Sequence, residues 1–378
     1  MNSRLASMDI GNDALKGYLN SFDTTVYIPN VIAKVEDRQV VEYEKEELAG
    51  LHVEITSSAL KSKNGRFAVG KLAMQYDNND ELTTDKDKHN NDQTLILLLT
   101  SLAYDAAINL KAEDNIVEAS YILSTGLPLA EAANRKDFRK KLKSTIHEVK
   151  FLKTPKLEGK TVRITFHEVL VNTEGFAAYM DLMMDNDGSD RNVELQGKTL
   201  MINDIGGLST DTAIITADGS IDNTNSKGVS EGVSPYLDEI IESVYNQYKY
   251  TFKSRRELIE IITSEDPEER NHIFVKSNRT SIDHIVNPIL QKLAESEYKH
   301  ISRVWDRVPA VRYSYQIGGG SLILRPYLKE INEREHKFAL RFLKKEESIW
   351  MIARAYLKIL MVWSANQGIE TPLLATNK

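Results

Sequence analysis

Over the first third of the chain, apolar positions recur in short alternating runs broken by polar turns, a pattern that predicts strands. Positions 5–10, 14–20 and 26–33 are such runs, separated by Gly11-Asn12-Asp13 and by Ser21-Phe22-Asp23-Thr24. A strand, a three-residue turn and a second strand make a hairpin, and glycine and asparagine tolerate the positive φ such turns use. Positions 52–75 read as further β structure, with Asn64-Gly65 as the turn before 66–73. The run 77–92 is polar, Leu82 being its only apolar residue, and reads as a mobile surface loop.

Beyond it the period changes. Positions 93–110 predict a strong helix, 118–126 a strand entering Leu127-Pro128, 129–142 a charged helix, 162–170 a strand and 175–184 a helix. The chain then restarts with a strand at 199–205, a Gly206-Gly207 turn and a strand at 210–217. Helices follow at 234–250, 255–262 and 282–296, then a strand at 311–317, three glycines, a short helix at 322–328 and a closing helix at 345–365. Strands mixed with helices place the chain in the α/β class. Met8-Asp9-Ile10-Gly11 and Asn203-Asp204-Ile205-Gly206 share Asp-Ile-Gly, each at the end of an apolar strand that turns into the next. This crude duplication predicts two similar domains facing each other across a cleft.

Composition narrows the classes. The chain has 378 residues, 41% of them hydrophobic, enough for two compact cores rather than one. Its net charge of −7 disfavours direct binding to nucleic acid, which needs clustered Lys and Arg. There is no cysteine, which excludes disulfides and thiolate chemistry and suits a reducing cytoplasm. Residues 1–7 lack a basic segment followed by an apolar stretch, so no signal peptide is expected. The apolar stretches 94–110 and 349–363 are interrupted by Asp105 and by Arg354 and Lys358, and predict buried helices rather than membrane spans.

The two turns suit a polyphosphate. A tight turn poor in side chains presents successive backbone N–H groups to one anion, and glycine lets the anion approach. Gly11 and Asn12 in the first turn, and Gly206, Gly207, Leu208 and Ser209 in the second, fit this task. Asp9 and Asp204 close the two strands and are candidate Mg2+ ligands through water, since nucleotide-bound magnesium takes only one or two carboxylates. Lys16, on the second strand, is a candidate phosphate contact. Gly318, Gly319 and Gly320, between a strand and a helix, offer bare backbone for a nucleoside. Glu174, between a strand and a helix, is the candidate group to orient water for attack on the γ-phosphorus, although an acid in a first helical turn is also ordinary capping chemistry.

In this order, these residues resemble the actin, Hsp70 and sugar-kinase superfamily. Asp9-Ile10-Gly11-Asn12 with Lys16 is similar to its first phosphate loop, 204–211 to its second, and Gly318-Gly319-Gly320 to its adenosine loop. Within that superfamily 27–33, 67–73 and 174–179 are similar to segments of the ParM-type plasmid-segregation proteins. The first turn has Asn-Asp where Gly-Ser or Gly-Thr is commoner, and the proline usual before the catalytic carboxylate is absent. The resemblance implies a two-domain actin-like fold, a duplicated ribonuclease H-like architecture with the nucleotide in the interdomain cleft. Domain I would span 1–172 plus 345–378, with a small insert at about 36–80, and domain II 173–344, with a small subdomain at about 229–300. It further implies a cytoplasmic, Mg2+-dependent ATPase, GTP being the alternative nucleotide. Such a protein polymerises into dynamic filaments and segregates plasmid DNA through a DNA-binding adaptor, without touching nucleic acid or membrane itself. The polar run 77–92 is then a surface loop or a filament contact. Two other functions stay open: a small-molecule kinase of the same superfamily, and another bacterial actin-like cytoskeletal filament.

Overall fold

The computed structural model describes residues 3–37, 46–76, 78–81, 87–336 and 338–369. The expected insert (36–80) and polar run (77–92) therefore lie partly outside the described residues. Two compact units form: Met1–Glu194 with Trp350–Lys378, and Leu195–Ile349.

In the first unit, ten strands among the described residues join one sheet. They are β1 (Arg4–Ile10), β2 (Ala14–Leu19), β3 (Thr25–Pro29), β4 (Val31–Lys34), β5 (His52–Thr56), β6 (Asn64–Val69), β7 (Asn79–Glu81), β8 (Ile116–Leu127), β9 (His147–Phe151) and β10 (Thr161–Thr173). The spatial order is β3-β2-β1-β8-β10-β9-β5-β6-β4-β7. Helices α1 (Asp92–Asn109), α2 (Arg135–Lys143) and α3 (Glu174–Met183) belong here, with most of α8 (Lys345–Asn366). Alternate residues of β1 serve different cores: Ala6 and Met8 pack in the cluster that includes α1, Leu5 in the one built with Ala353, Leu357 and Leu360 of α8. Leu95, Leu97, Leu98, Leu99 and Leu102 of α1 are fully buried, each stabilising by roughly 1.5–3 kcal/mol.

The second unit carries β11 (Thr199–Ile205), β12 (Thr210–Ile215), β13 (Lys227–Val229), β16 (Val311–Ile317) and β17 (Leu340–Phe342) in the order β13-β12-β11-β16-β17. A separate hairpin pairs β14 (His272–Val275) with β15 (Asn278–Ser281), and the helices are α4 (Ser234–Tyr248), α5 (Arg255–Ile262), α6 (Asp283–Arg307) and α7 (Gly318–Arg334).

The duplication goes well beyond a tripeptide. In β3-β2-β1-β8-β10 the successive pairings are antiparallel, antiparallel, parallel, parallel. In β13-β12-β11-β16-β17 they are the same. Each unit therefore repeats one five-strand core, and the α/β class with two similar domains holds.

Several local expectations need correction. The run 26–33 splits at Asn30 into β3 and β4, because Asn30 turns inward and its N–H donates to the Asp13 carbonyl (3.0 Å). Asn64-Gly65 is strand, paired with Thr56 and Ile55, and the turn lies earlier, where Lys63 takes φ 60° and its carbonyl accepts from the Ser57 N–H (2.8 Å). The helix after β16 starts at Gly318 itself and runs to Arg334. Residues 173–194 pack with the first unit, although the resemblance places them at the start of domain II. Asp181 on α3 accepts hydrogen bonds from Arg354 (2.8 and 2.6 Å) and Lys358 (2.7 Å) of α8, an ion cluster that ties both helices to one body.

Candidate functional site

In the first unit the β1–β2 hairpin is closed by the Gly11 N–H donating to the Ala14 carbonyl (3.0 Å). Register sets Asp9 directly across from Lys16. The turn's carbonyls are held from behind: Asn30 Nδ2 donates to Gly11 O (2.7 Å), while its N–H takes Asp13 O. Gln93, in the first turn of α1, donates to Asn30 O (3.0 Å) and Oδ1 (2.9 Å). Both amides are buried, so the turn is fixed from its inner side by a chain of hydrogen bonds for which water competes little. Thr125 Oγ1 on β8 donates to Met8 O (2.7 Å) and pins the other side of β1. Asn30, Gln93 and Thr125 carry no signal in the sequence; each acts through a long-range contact.

Glu174 is the first residue of α3, immediately after β10. Glu174 therefore does stand in a first helical turn, but no side-chain cap accompanies it. Thr173 makes no side-chain cap bond, and Asn172 Nδ2 is spent on Ser124 Oγ and Thr125 O, both at 3.0 Å. Instead Glu174 Oε1 accepts from Lys88 Nζ at 2.9 Å. Glu174 and Lys88 both act electrostatically on Asp9, so Asp9, Lys16, Lys88 and Glu174 form one charged cluster. Burial pushes the Asp9 carboxyl up to about 6; Lys16 and Lys88 oppose the shift while Glu174 and Asp13 add to it. For Lys16, burial works against its charge, yet the carboxylates of Asp13 (3.3 Å away) and Asp9 outweigh it and hold the ammonium above its ordinary value. Asn12 sits partly exposed in the turn.

The second unit repeats the hairpin. The Gly206 N–H donates to Ser209 O (2.8 Å), and the carbonyls of Gly206 and Gly207 accept from Val233 (3.1 Å) and Ser234 (2.7 Å) at the start of α4. This close approach needs Gly232, where a Cβ would stand 2.5 Å from Gly207 O. Leu208 and Ser209 complete the turn, partly exposed. Asp204 lies across from Asp211, so like charges face each other where the first hairpin sets opposite ones. The three glycines divide their work. A Cβ on Gly318, whose φ is +79°, would meet Asp204 Oδ1 at 2.2 Å and Ile205 O at 2.6 Å, and one on Gly320 would meet Ile205 and Val233. Gly319 has nothing within 4 Å and faces open space. Thr210, next after the turn, donates to Glu297 Oε1 on α6 (2.7 Å), a buried carboxyl that burial raises to about 7. Glu297 is equally silent in the sequence; it lies 87 residues from its partner.

The structure thus gathers Asp9, Gly11, Asn12, Lys16 and Glu174 in the first unit, and Asp204, Gly206, Gly207, Leu208, Ser209, Gly318, Gly319 and Gly320 in the second. Among the described residues no group of three or more His, Asp or Glu side chains could by itself hold a metal ion. Nor is any helix among them long and apolar enough to cross a membrane.

Comparison with known proteins bears on this arrangement. Residues 7–176 match the family of actin-like proteins, N-terminal domain, and residues 199–341 match the Alp7A C-terminal domain. None of the curated proteins matches the chain in sequence. Among solved structures, Bacillus thuringiensis ParM with AMPPNP superposes with a TM-score of 0.74 at 25% identity, covering 96% of this chain and 100% of that one. The same protein with ATP gives 0.73 at 25% identity, covering 97% and 100%. A 15-stranded ParM filament from Clostridium botulinum has the same fold, with a TM-score of 0.70 at 19% identity over 95% of this chain and 99% of that one. With both halves matched and the fold shared over nearly its full length, the chain belongs to the actin-like proteins and is of the ParM type.

Proposed function

We propose that this protein binds and hydrolyses ATP with Mg2+, assembles head-to-tail into filaments, and moves plasmid DNA through a separate adaptor. The observation that carries the reading is the cluster of Asp9, Lys16 and Glu174 beside a backbone-lined turn in the first unit. Asn12 would offer its amide to the phosphates, Gly11, whose own N–H closes the turn, would let them approach without a Cβ in the way, and Lys16 would add a point charge. In the second unit Gly207, Leu208 and Ser209 would offer amides in the same way and Gly206, whose N–H closes the turn, would allow close approach, the carbonyls of Gly206 and Gly207 being occupied by the start of α4. Gly319, open where its neighbours are packed, leaves bare backbone for the nucleoside.

The residues fit a magnesium ion carried by the nucleotide. Asp9 is a carboxyl pushed up by burial, a group that gains from a nearby cation, and a shared ion needs only one or two carboxylates and no preformed cage. Asp9 and Asp204 would hold it through water, and it would offset phosphate charge. Glu174 orients a water and takes its proton as the water oxygen bonds to the γ-phosphorus. The bridging P–O bond breaks and its electrons leave with ADP.

Solved relatives carry ATP and AMPPNP, and one is a filament, which supports the nucleotide-binding and self-assembly parts of the proposal. Heterologous contacts that do not close give open polymers, and an acidic chain that moves DNA needs an adaptor. The test combines phosphate release with light scattering and negative-stain microscopy, with and without ATP and Mg2+. Wild-type protein should scatter and release phosphate; Glu174→Ala should polymerise but hydrolyse at least tenfold more slowly. Turnover without polymer would favour the small-molecule kinase, and absence of both would refute the proposal.

A further inference from the structure

Lys88 belongs to a polar stretch that periodicity marks as surface, yet its side chain is only 11% exposed and that of its partner Glu174 13%. A lysine is ordinarily a flexible, strongly hydrated point charge. This one is held at both ends. Its N–H donates to Glu131 Oε1 (2.9 Å), the next N–H, of His89, to Glu131 Oε2 (3.0 Å), and His89 Nδ1 meets the same oxygen at 2.8 Å. Glu131 is buried, so one carboxylate clamps two successive backbone amides of the 3-10 turn Lys88–Asn90. At the other end Nζ meets Glu174 Oε1 at 2.9 Å.

Much of the lysine's rotamer freedom is therefore already lost in the folded state, and little more is lost on keeping Glu174 in place. A carboxylate that directs a water must present one oxygen in a fixed orientation, and misplacement by about 1 Å can cost about a hundredfold. With Oε1 taken by Lys88, Oε2 is the oxygen left to meet the water. The same ammonium also offsets the repulsion between Glu174 and Asp9, both of which it influences.

We infer that Lys88, clamped by Glu131, is a positioning residue that fixes the water-directing carboxylate of Glu174. This rests on the hydrolysis reading above, and the experiment separates the two. Lys88→Met and Lys88→Arg are made in the full chain, alone and with Glu174→Gln, and steady-state phosphate release is measured against ATP concentration with Mg2+. Lys88→Met should lower kcat about 10- to 100-fold with KM within about threefold. Lys88→Arg, which restores the cation, should recover all but about fivefold. In the Glu174→Gln background Lys88→Met should change kcat less than about twofold, since residues acting as a unit are not additive.

An equal loss in both backgrounds would overturn the inference, as would a raised KM with unchanged kcat, which would make Lys88 a nucleotide contact instead. Failure of the underlying reading looks different: Glu174→Gln would then turn over like the wild type. The ion pair is checked without activity by the melting temperatures of the two single variants and the double. A pair gives a double variant no less stable than the worse single, whereas additive losses deny it.

Discussion

Replacing Glu297 by Gln tests the electrostatics of the second unit most sharply. The side chain is 1% exposed, its Oε1 accepts from Thr210, and its Oε2 has no partner. Desolvation drives the carboxyl from 4.5 up to about 7; nearby Glu231 adds to the rise, and the Thr210 hydrogen bond and the nearby Asn203 amide oppose it. The sign follows from linkage. Below the unfolded value both states are protonated and the group costs nothing. As pH rises through the window from 4.5 to about 7, the unfolded chain loses its proton while the folded one keeps it, so stability falls. Above that window the loss levels off at about 3 kcal/mol, since each tenfold change in proton affinity is worth about 1.4 kcal/mol. Glutamine does not titrate. Its amide brings new donors to the unpartnered oxygen's place, a pH-independent offset, so the diagnostic quantity is the change in the difference between variant and wild type. That difference should move in favour of Glu297→Gln by roughly 2–3 kcal/mol between about pH 5 and about pH 8. Asp9 titrates in both proteins and cancels. Urea unfolding in a Trp350→Phe, Trp363→Phe background isolates Trp305, which stacks on Phe338 in the second unit. Parallel stability curves across that range would refute the reasoning.

The other predictions concern the turns themselves. Gly318→Ala places a Cβ 2.2 Å from Asp204 Oδ1 at a left-handed φ, and should cost about 2 kcal/mol or more in thermal unfolding. Gly319→Ala, whose Cβ meets nothing within 4 Å, should leave stability within about 0.5 kcal/mol yet weaken ATP binding measurably by calorimetry if that backbone receives the nucleoside. Asp9→Asn removes a carboxyl raised to about 6. Asn does not titrate, so the fall in stability as pH rises from the ordinary aspartate range toward about 6 should be missing from the variant's pH curve, on top of a pH-independent loss from leaving Lys16 without that carboxylate, while Mg2+-dependent phosphate release falls at least tenfold. A variant with the wild-type pH curve and undiminished phosphate release would show that Asp9 is an ordinary turn-former.

What can be read in advance is whatever is local. A strand ending in Asp-Ile-Gly and turning back is written in some ten consecutive residues, and both hairpins stand where the pattern puts them. So do α1 and α5, whose apolar spacing needs no tertiary partner to be seen. Strand β9 escapes the pattern because His147–Phe151 is five residues of mixed polarity, strand only because β5 and β10 flank it. The glycines at 318–320 are visible as a cluster, but which of them is needed for packing depends on Ile205 and Asp204, more than a hundred residues earlier. Lys88 shows the limit best. It sits in a run with almost no apolar residue, and its meaning comes from Glu131 and Glu174, 43 and 86 residues away.

The duplicated hairpins also show how one scaffold acquires two chemistries. Both are closed by the same bond, from the residue after the isoleucine to a carbonyl three positions on. Both have the turn's carbonyls pinned from behind, by Asn30 in one and by Val233 and Ser234 in the other. A backbone secured on its carbonyl side is rigid where its amides point, whatever side chains it carries. The difference is in the residue across the strand: Lys16 opposite Asp9, Asp211 opposite Asp204. Opposite charges facing across a ladder support each other, while like charges at that spacing repel. The first hairpin therefore sets a cation directly across from its aspartate and the second a carboxylate. The fold repeats the backbone, and the charges opposite the two aspartates are what distinguish the copies.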